Sequence, residues 1–271
     1  MPIGHAFIEL GSVDSTNNYA MARVHAGSAS HGTIFFAHEQ WAGKGQRGKT
    51  WASRPGENIV MSVVLEPAFL PVARQFELSA AIGLACHDLL SRLVPGNELA
   101  IKWPNDLYWR DRKAGGILIE NVFRGDHWLF AIAGIGINVN QTLFPETLRN
   151  PVSLKQITGR TFDVVKIAGE LGGDLERRYE QLRASIQGEG SDGGVGGDGG
   201  PTIMEDYNSR LYKRGRTVTL KQADRLFETT IGHVTEKGEL VTQDRLPQDS
   251  PDRIFRFGEV EWFTDGSPSM P

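Results

Sequence analysis

Two apolar runs, GGILIENVF (115–123) and HWLFAIAGIGINV (127–139), are separated only by Arg124-Gly125-Asp126. Two strand-like segments around a Gly-Asp turn predict an antiparallel hairpin. Further strands are read at TIFFAH (33–38), at the β-branched ENIVMSVVLE (57–66), and at IKW (101–103), a stub ended by Pro104. Helices are expected after Asp14-Ser15-Thr16, where capping residues precede NNYAMARVHAG and Gly27 follows it, and at 162–186 and 202–213. Residues 73–93 suit another, because Phe76, Leu78, Ala81, Ile82, Ala85, Leu89 and Leu93 recur at helical spacing. Strands outnumber the helices that could connect them, and several run consecutively. The expected class is therefore α+β, a mixed central sheet with flanking helices, and not a doubly wound parallel sheet.

From Arg216 onward TVTL, LFETTIGHV, GELVT, RIFRF and EVEWF are short strands at close spacing. They predict a small separate β-barrel of about fifty residues. The expected units are 1–213 and 214–271. Within the first, GEGSDGGVGGDGG (188–200) cannot bury apolar surface and reads as a flexible insertion. The tail TDGSPSMP is expected to be disordered.

The stretch GKGQRGKT (43–50) fits the phosphate-loop pattern, and its glycines also fit the dinucleotide pattern. Both need a helix directly after the glycines, where backbone N–H groups face phosphates. Here Pro55-Gly56 follows six residues after Lys49, and the next regular segment is a strand. Both readings therefore fail on context. What remains is a hoop of three glycines and three cations, Lys44, Arg47 and Lys49, able to close over an anion. Trp51 beside it suits a ring-bearing ligand.

A formal charge of −4, from 29 Lys+Arg against 33 Asp+Glu, argues against nucleic-acid binding through bulk charge. Cys86 is the only cysteine, which excludes an intrachain disulfide and multi-cysteine zinc sites; its apolar setting LACHDLL reads as core. The N-terminus lacks a signal-peptide pattern, and no run of 18 apolar residues occurs. A cytoplasmic protein with no membrane span is expected.

DSTN (14–17), HEQWAGKGQRGKTWAS (38–53), KWPNDLYWRDRKAGGILIE (102–120) and GIGINVN (134–140), in this order and spacing, closely resemble the biotin–protein ligases. The resemblance runs from about Asp14 to Asn140, and the C-terminal strands look like that family's small SH3-like domain. It implies a catalytic fold similar to class II aminoacyl-tRNA synthetases and a two-step reaction. Biotin and ATP give biotinyl-5′-AMP and pyrophosphate, and a lysine of an acceptor such as biotin carboxyl carrier protein then takes the biotinyl group.

By the family's pattern Ser15, Thr16 and Gln40 hydrogen-bond the ureido ring of biotin, with Asn17 on the same side. Ser15 and Thr16 are also expected to cap their helix. Gly43, Lys44, Gly45, Gln46, Arg47 and Gly48 form the loop that closes over biotin and the adenylate. Lys113 contacts the biotin carboxylate and the α-phosphate, and Gly115 and Gly116 let the strand backbone approach the ligand. Trp51, Asn105, Asp106 and Asn138 fall on the nucleotide side; turn geometry for Asp106 and a strand-end role for Asn138 are the alternatives. Where some members carry Arg, this chain has Gln46, and Arg47 is expected to supply that charge as a catalytic residue beside Lys113.

Only 13 residues precede Asp14, too few for the helix-turn-helix of members that repress transcription, so a short-form ligase without DNA binding is expected. No carboxylate or histidine cluster has metal-ligand spacing, and Mg2+ is expected on the ATP phosphates. The resemblance is compatible with a homodimer. Other readings are a lipoate-type or other acyl-adenylate ligase, and a non-catalytic binding module using Lys213, Arg214, Arg216 and Lys221.

Overall fold

The computed structural model describes residues 1–188, 200–244 and 251–263. The glycine-rich run, apart from its two end residues, and the tail from Thr264 lie outside the described residues. In chain order the first unit contains β1 (Ala6–Val13), α1 (Thr16–His25), β2 (Thr33–Gln40), β3 (Asn58–Leu65), α2 (Gln75–Leu93), β4 (Leu99–Lys102), β5 (Asp106–Trp109), β6 (Arg112–Arg124), β7 (His127–Asn138), α3 (Leu154–Thr158), α4 (Val164–Gly188) and α5 (Ile203–Ser209). Its seven strands form one mixed sheet in the order β1-β2-β3-β7-β6-β5-β4. Only β1 and β2, joined through α1, run parallel; every other pairing in this sheet is antiparallel.

The hairpin is present. Arg124 pairs with His127, and the turn between them uses Gly125 at φ 58, a backbone conformation that costs glycine little. Period-two alternation then assigns the two faces of the sheet. Ile135 and Ile137 of β7, Ile117 of β6, and Ile59, Met61 and Val63 of β3 enter the main core under α2 and α4. Phe35, Val64 and Ile132 face the other way, against Ala20 and Val24 of α1. β2 and β3 are thus buried on both faces, which is why they read as unbroken apolar runs. Each fully buried large side chain of this kind contributes roughly 1.5–3 kcal/mol. Cys86 is buried in the main core, and burial pushes its thiol far above the ordinary range, so it is an unreactive packing residue.

The expected helix at 202–213 stops at Ser209. Its start is fixed by a capping box of Thr202 and Glu205. Its end is set by tertiary contacts, because Arg210 and Tyr212 exchange backbone hydrogen bonds with Ile101 at the edge of β4.

The second unit contains β8 (Thr217–Gln222), β9 (Arg225–Val234), β10 (Leu240–Gln243), β11 (Arg253–Phe255) and β12 (Glu261–Phe263), in the order β11-β10-β9-β8-β12. Every pairing is antiparallel, as the short, closely spaced strands predict. Among the described residues the sheet is open, with β11 and β12 as edges, so the closed barrel is not seen. Nor is its interior separate: Leu220, Ile231, Val234, Leu240 and Phe255 belong to the same apolar cluster as α2 and the main sheet. Trp103 Nε1 donates to Gly238 O (2.9 Å), and Asn208 Nδ2 donates to Val234 O (2.9 Å), joining the units by polar contacts as well. No helix among the described residues is long and apolar enough to cross a membrane.

Candidate active site

The face of the sheet opposite α2 and α4 carries the site, and β7 shows why sequence puts it there. Its segment GIGIN alternates isoleucines, which face the core, with Gly134, Gly136 and Asn138, which face the other way. A Cβ on Gly134 would strike Asn17 Oδ1, and one on Gly136 would lie 2.5 Å from Trp51 Cε2. Those two glycines clear space for one residue from each half of the site.

The first half is a neutral polar pocket at the start of α1. Ser15, Thr16 and Asn17 are all buried there. The Thr16 backbone N–H and hydroxyl both donate to Gln40 Oε1, at 2.7 and 3.1 Å. Ser62 Oγ lies 2.7 Å from Thr16 Oγ1 and donates to Asn17 Oδ1 at 2.6 Å. Asn17 Nδ2 donates to Glu120 Oε2 (2.8 Å). The expected capping by Ser15 is not made: Ser15 occupies the N-cap position, yet its side chain forms no cap hydrogen bond.

The second half is cationic. Lys113 Nζ pairs with Asp106 Oδ1 at 2.7 Å and lies 6.0 Å from the centroid of the Trp51 ring. A β-bulge between Leu107 and Tyr108 sets the register that brings this pair together. Asn138 is buried, and its amide donates to Lys113 O (3.3 Å) and Val152 O (3.2 Å), so it braces the Lys113 strand. Asn105 acts similarly on β6, donating from Nδ2 to Ile117 O. Gly115 and Gly116 have internal reasons to lack a side chain: a Cβ would sit 2.7 Å from Gly136 O in the first case and 3.2 Å from Asp106 Oδ1 in the second.

The loop 43–50 bridges the halves. Lys44 pairs with Thr50, Gly45 N–H donates to Lys49 O (2.7 Å), and Gln46–Gly48 form a turn in which Arg47 takes a left-handed backbone conformation (φ 56). The next regular element is β3, so no helix follows the glycines and the phosphate-loop reading fails as expected. Lys44 Nζ reaches Glu120 Oε1 (3.2 Å), tying the loop to the residue that also holds Asn17. The Arg47 guanidinium lies 3.8 Å from Glu261 of the C-terminal sheet and beside Gly258. Trp51 Nε1 is buried without a hydrogen-bond partner, a donor available to a ligand. Beyond Trp51 opens a cleft of about 320 Å³ lined by Ala52, Ser53, Arg54, Gln141, Leu143, Phe144 and Pro145.

Sequence reasoning missed Ser62, Glu120, Gly134 and Gly136 as individual residues. Ser62 had a signal, being the one hydroxyl within the apolar run IVMSVVL. Chemically, the assembly offers donors and acceptors for a neutral polar head, a cation about two strand residues further along for an anionic group, and a loop overhead.

The chain is similar to several known proteins. Residues 10–138 match the model of the biotin/lipoate A/B protein ligase family. The chain is similar to the biotin–[acetyl-CoA-carboxylase] ligase of Mycobacterium tuberculosis, with 32% identity over 210 residues covering 76% of this chain and 71% of that one. It is also similar to the bifunctional ligase/repressor BirA of Escherichia coli, 34% identical over 54% of this chain and 44% of BirA. In fold it resembles the biotin protein ligase of Aquifex aeolicus solved with biotin and ATP (TM-score 0.72, 24% identity, 95% of this chain and 98% of that one).

Proposed function

The chain belongs to the biotin/lipoate A/B protein ligase family, and from that premise we infer that it is an ATP-dependent ligase that activates biotin as biotinyl-5′-AMP. A carboxylate oxygen of biotin forms a bond to the α-phosphorus as the bond to the β-phosphate oxygen breaks and pyrophosphate leaves. An acceptor lysine amine then forms a C–N bond at the anhydride carbonyl, the C–O bond to AMP breaks, and the nitrogen loses a proton. We take the acceptor to be biotin carboxyl carrier protein, and the compartment to be the ATP-containing cytoplasm.

The observation that carries the residue assignments is the juxtaposition of a buried neutral pocket with one lysine–aspartate pair. We assign the ureido ring to Ser15, Thr16, Asn17 and Gln40, since a buried urea requires both donors and acceptors. Lys113 is assigned to the biotin carboxylate and the α-phosphate, where a cation offsets negative charge that accumulates in the transition state. Asp106, 2.7 Å from it, holds the ammonium in place. Trp51, Asn105 and Asn138 belong to the nucleotide side, the two asparagines by fixing the backbone around Lys113. Gly43, Lys44, Gly45, Gln46 and Arg47 form the closing loop, which excludes water from the anhydride. Magnesium enters on the ATP phosphates. We divide the chain into a catalytic unit, 1–213, and a C-terminal unit, 214–271, and read the latter as SH3-like from its short antiparallel strands and the bulge at Val241/Thr242.

Mass spectrometry of the protein with Mg-ATP, with and without biotin, tests the reaction. Biotinyl-adenylate and pyrophosphate are expected only when biotin is present. ADP formed regardless of biotin would overturn the assignment.

A further inference from the structure

Lys102 lies in the same row of the sheet as the reaction site, yet no step above uses it. Strand pairing fixes its place: Lys102 opposes Asp106, Asp106 opposes Gly116, and Gly116 opposes Gly136, so all four share one face. Its neighbours Ile101 and Trp103 lie in the core on the other face. The ammonium is enclosed by rings. Lys102 Nζ is 4.5 Å from the centroid of Tyr108, 5.0 Å from Trp262 and 5.5 Å from Tyr212, and it donates to Tyr108 Oη at 3.3 Å.

Those rings come from separate parts of the chain. Tyr108 is on β5, Tyr212 follows α5, and Trp262 is on β12 of the C-terminal sheet. The cage is complete only while that sheet is docked. The residue before Trp262, Glu261, meets Arg47 of the glycine loop at 3.8 Å. One three-residue strand therefore touches both the loop and the row that carries Asp106 and Lys113. Other charges around the cage are Asp111, which accepts from Tyr212 Oη and pairs with Lys213, together with Asp106 and Lys113.

We propose that Lys102 is a positioning residue: its ammonium, enclosed by Tyr108, Tyr212 and Trp262, clamps the C-terminal sheet against the nucleotide side of the active site and so sets the affinity for ATP. The proposal rests on the biotin-activating reaction. A cation over several desolvated ring faces is held more firmly than one in water, and an isosteric neutral chain loses that hold. The pocket assigned to the ureido ring stands on α1, β2 and β3, whereas the cage stands on β4 and β5 at the far end of the sheet. Burial lowers the Lys102 ammonium to about 8, with Asp106 opposing the shift, so the clamp weakens as pH rises through that value.

Biotin-dependent ATP–pyrophosphate exchange by the full chain reads this out. Lys102→Met is expected to raise KM for ATP about tenfold, with KM for biotin unchanged and kcat within about twofold. Lys102→Arg, which keeps a cation among the rings, restores ATP affinity to near wild type. The wild-type KM for ATP rises above about pH 8, whereas that of Lys102→Arg stays flat. Should Lys102→Met fail to fold, Trp262→Leu breaks the cage from the other side and is expected to give the same selective loss of ATP affinity. Exchange with an unchanged KM for ATP in Lys102→Met or Trp262→Leu, an equal rise for biotin and ATP, or a pH profile that Lys102→Arg shares, would overturn the clamp alone. Wild-type protein without biotin-dependent exchange would overturn the reaction as well.

Discussion

Gly134 has no side chain to bond with, but the polar pocket assigned to biotin depends on it for room. Gly134→Ala drives a methyl group into Asn17 Oδ1, and Asn17 must give up Ser62 or Glu120 to escape. Losing one buried hydrogen bond costs about 1 kcal/mol, so biotin affinity measured calorimetrically is expected to fall roughly fivefold to tenfold. ATP affinity, read at the Lys113 end, should change far less. Lys113→Ala acts on the other half. Removing a preorganised charge that meets the transition state typically costs about 10²–10³ in rate, and adenylate formation in a single-turnover assay is expected to drop by that order. A wild-type rate in Lys113→Ala would remove this residue from the reaction. That Lys113 and Asp106 would lie close together was legible in the sequence, because both belong to one local motif. Arg47 was legible as a cation, but its direction was not, because Glu261 lies more than two hundred residues away.

At the scale of elements, α2, α4 and α5 are held together by charges as well as by apolar packing. Arg178 donates to Asp88 on α2 (2.7 and 3.1 Å) and to Asp206 on α5 (2.7 Å), while Arg92 and Arg177 both reach Asp174. The Arg178 side chain is only 10% exposed. Arg178→Met removes the partner that Asp88 and Asp206 share, leaving Asp88 with Arg177 and Asp206 with Arg210, and denaturant unfolding is expected to show a loss of about 2 kcal/mol. The pH dependence follows from Asp88. Burial raises its pKa, but hydrogen bonds from Arg178 and Arg177 outweigh that and hold it below 3.8. The folded form therefore releases the proton more readily than the unfolded chain. Its stabilisation is present above about pH 4 and disappears as pH falls through the lower folded value. Asp88→Asn is expected to melt at lower temperature than wild type at pH 7, with a shallower decline below pH 4.

For the whole molecule, the decisive feature is that one apolar cluster runs from the central sheet into the C-terminal strands. Differential scanning calorimetry should therefore show one transition, not two, because neither part keeps its buried surface when the other unfolds. Gly238 is the sensitive point of this junction. It sits at φ 81 where a Cβ would come within 2.5 Å of Phe76 Cδ2, and its carbonyl accepts from Trp103. Gly238→Ala combines backbone strain with a steric push between α2 and β10. A cost of about 2 kcal/mol corresponds to a fall of roughly 5 °C in Tm. Two resolved transitions in the wild type would contradict the shared core.

The sequence by itself determined what depends on neighbours along the chain. The β6–β7 hairpin follows from its turn, and the failure of the phosphate loop follows from Pro55-Gly56 arriving before any helix could form. Period-two alternation in GIGIN already separates a core face from a glycine face. β1 escaped notice because this edge strand is mostly half-exposed or exposed and lacks clean alternation. The end of α5 was misplaced because an interstrand bridge to Ile101, not a local stop signal, halts it. Tertiary structure alone decided that Ser62 would meet Thr16 and Asn17, that Glu120 would join Asn17 to Lys44, and that Trp262 would close over Lys102. Local sequence fixes which side of a strand or helix is apolar, since dihedral preference and side-chain direction repeat with a short period. Which two surfaces then meet depends on burying them together across long chain separations, and no short window of residues records that choice.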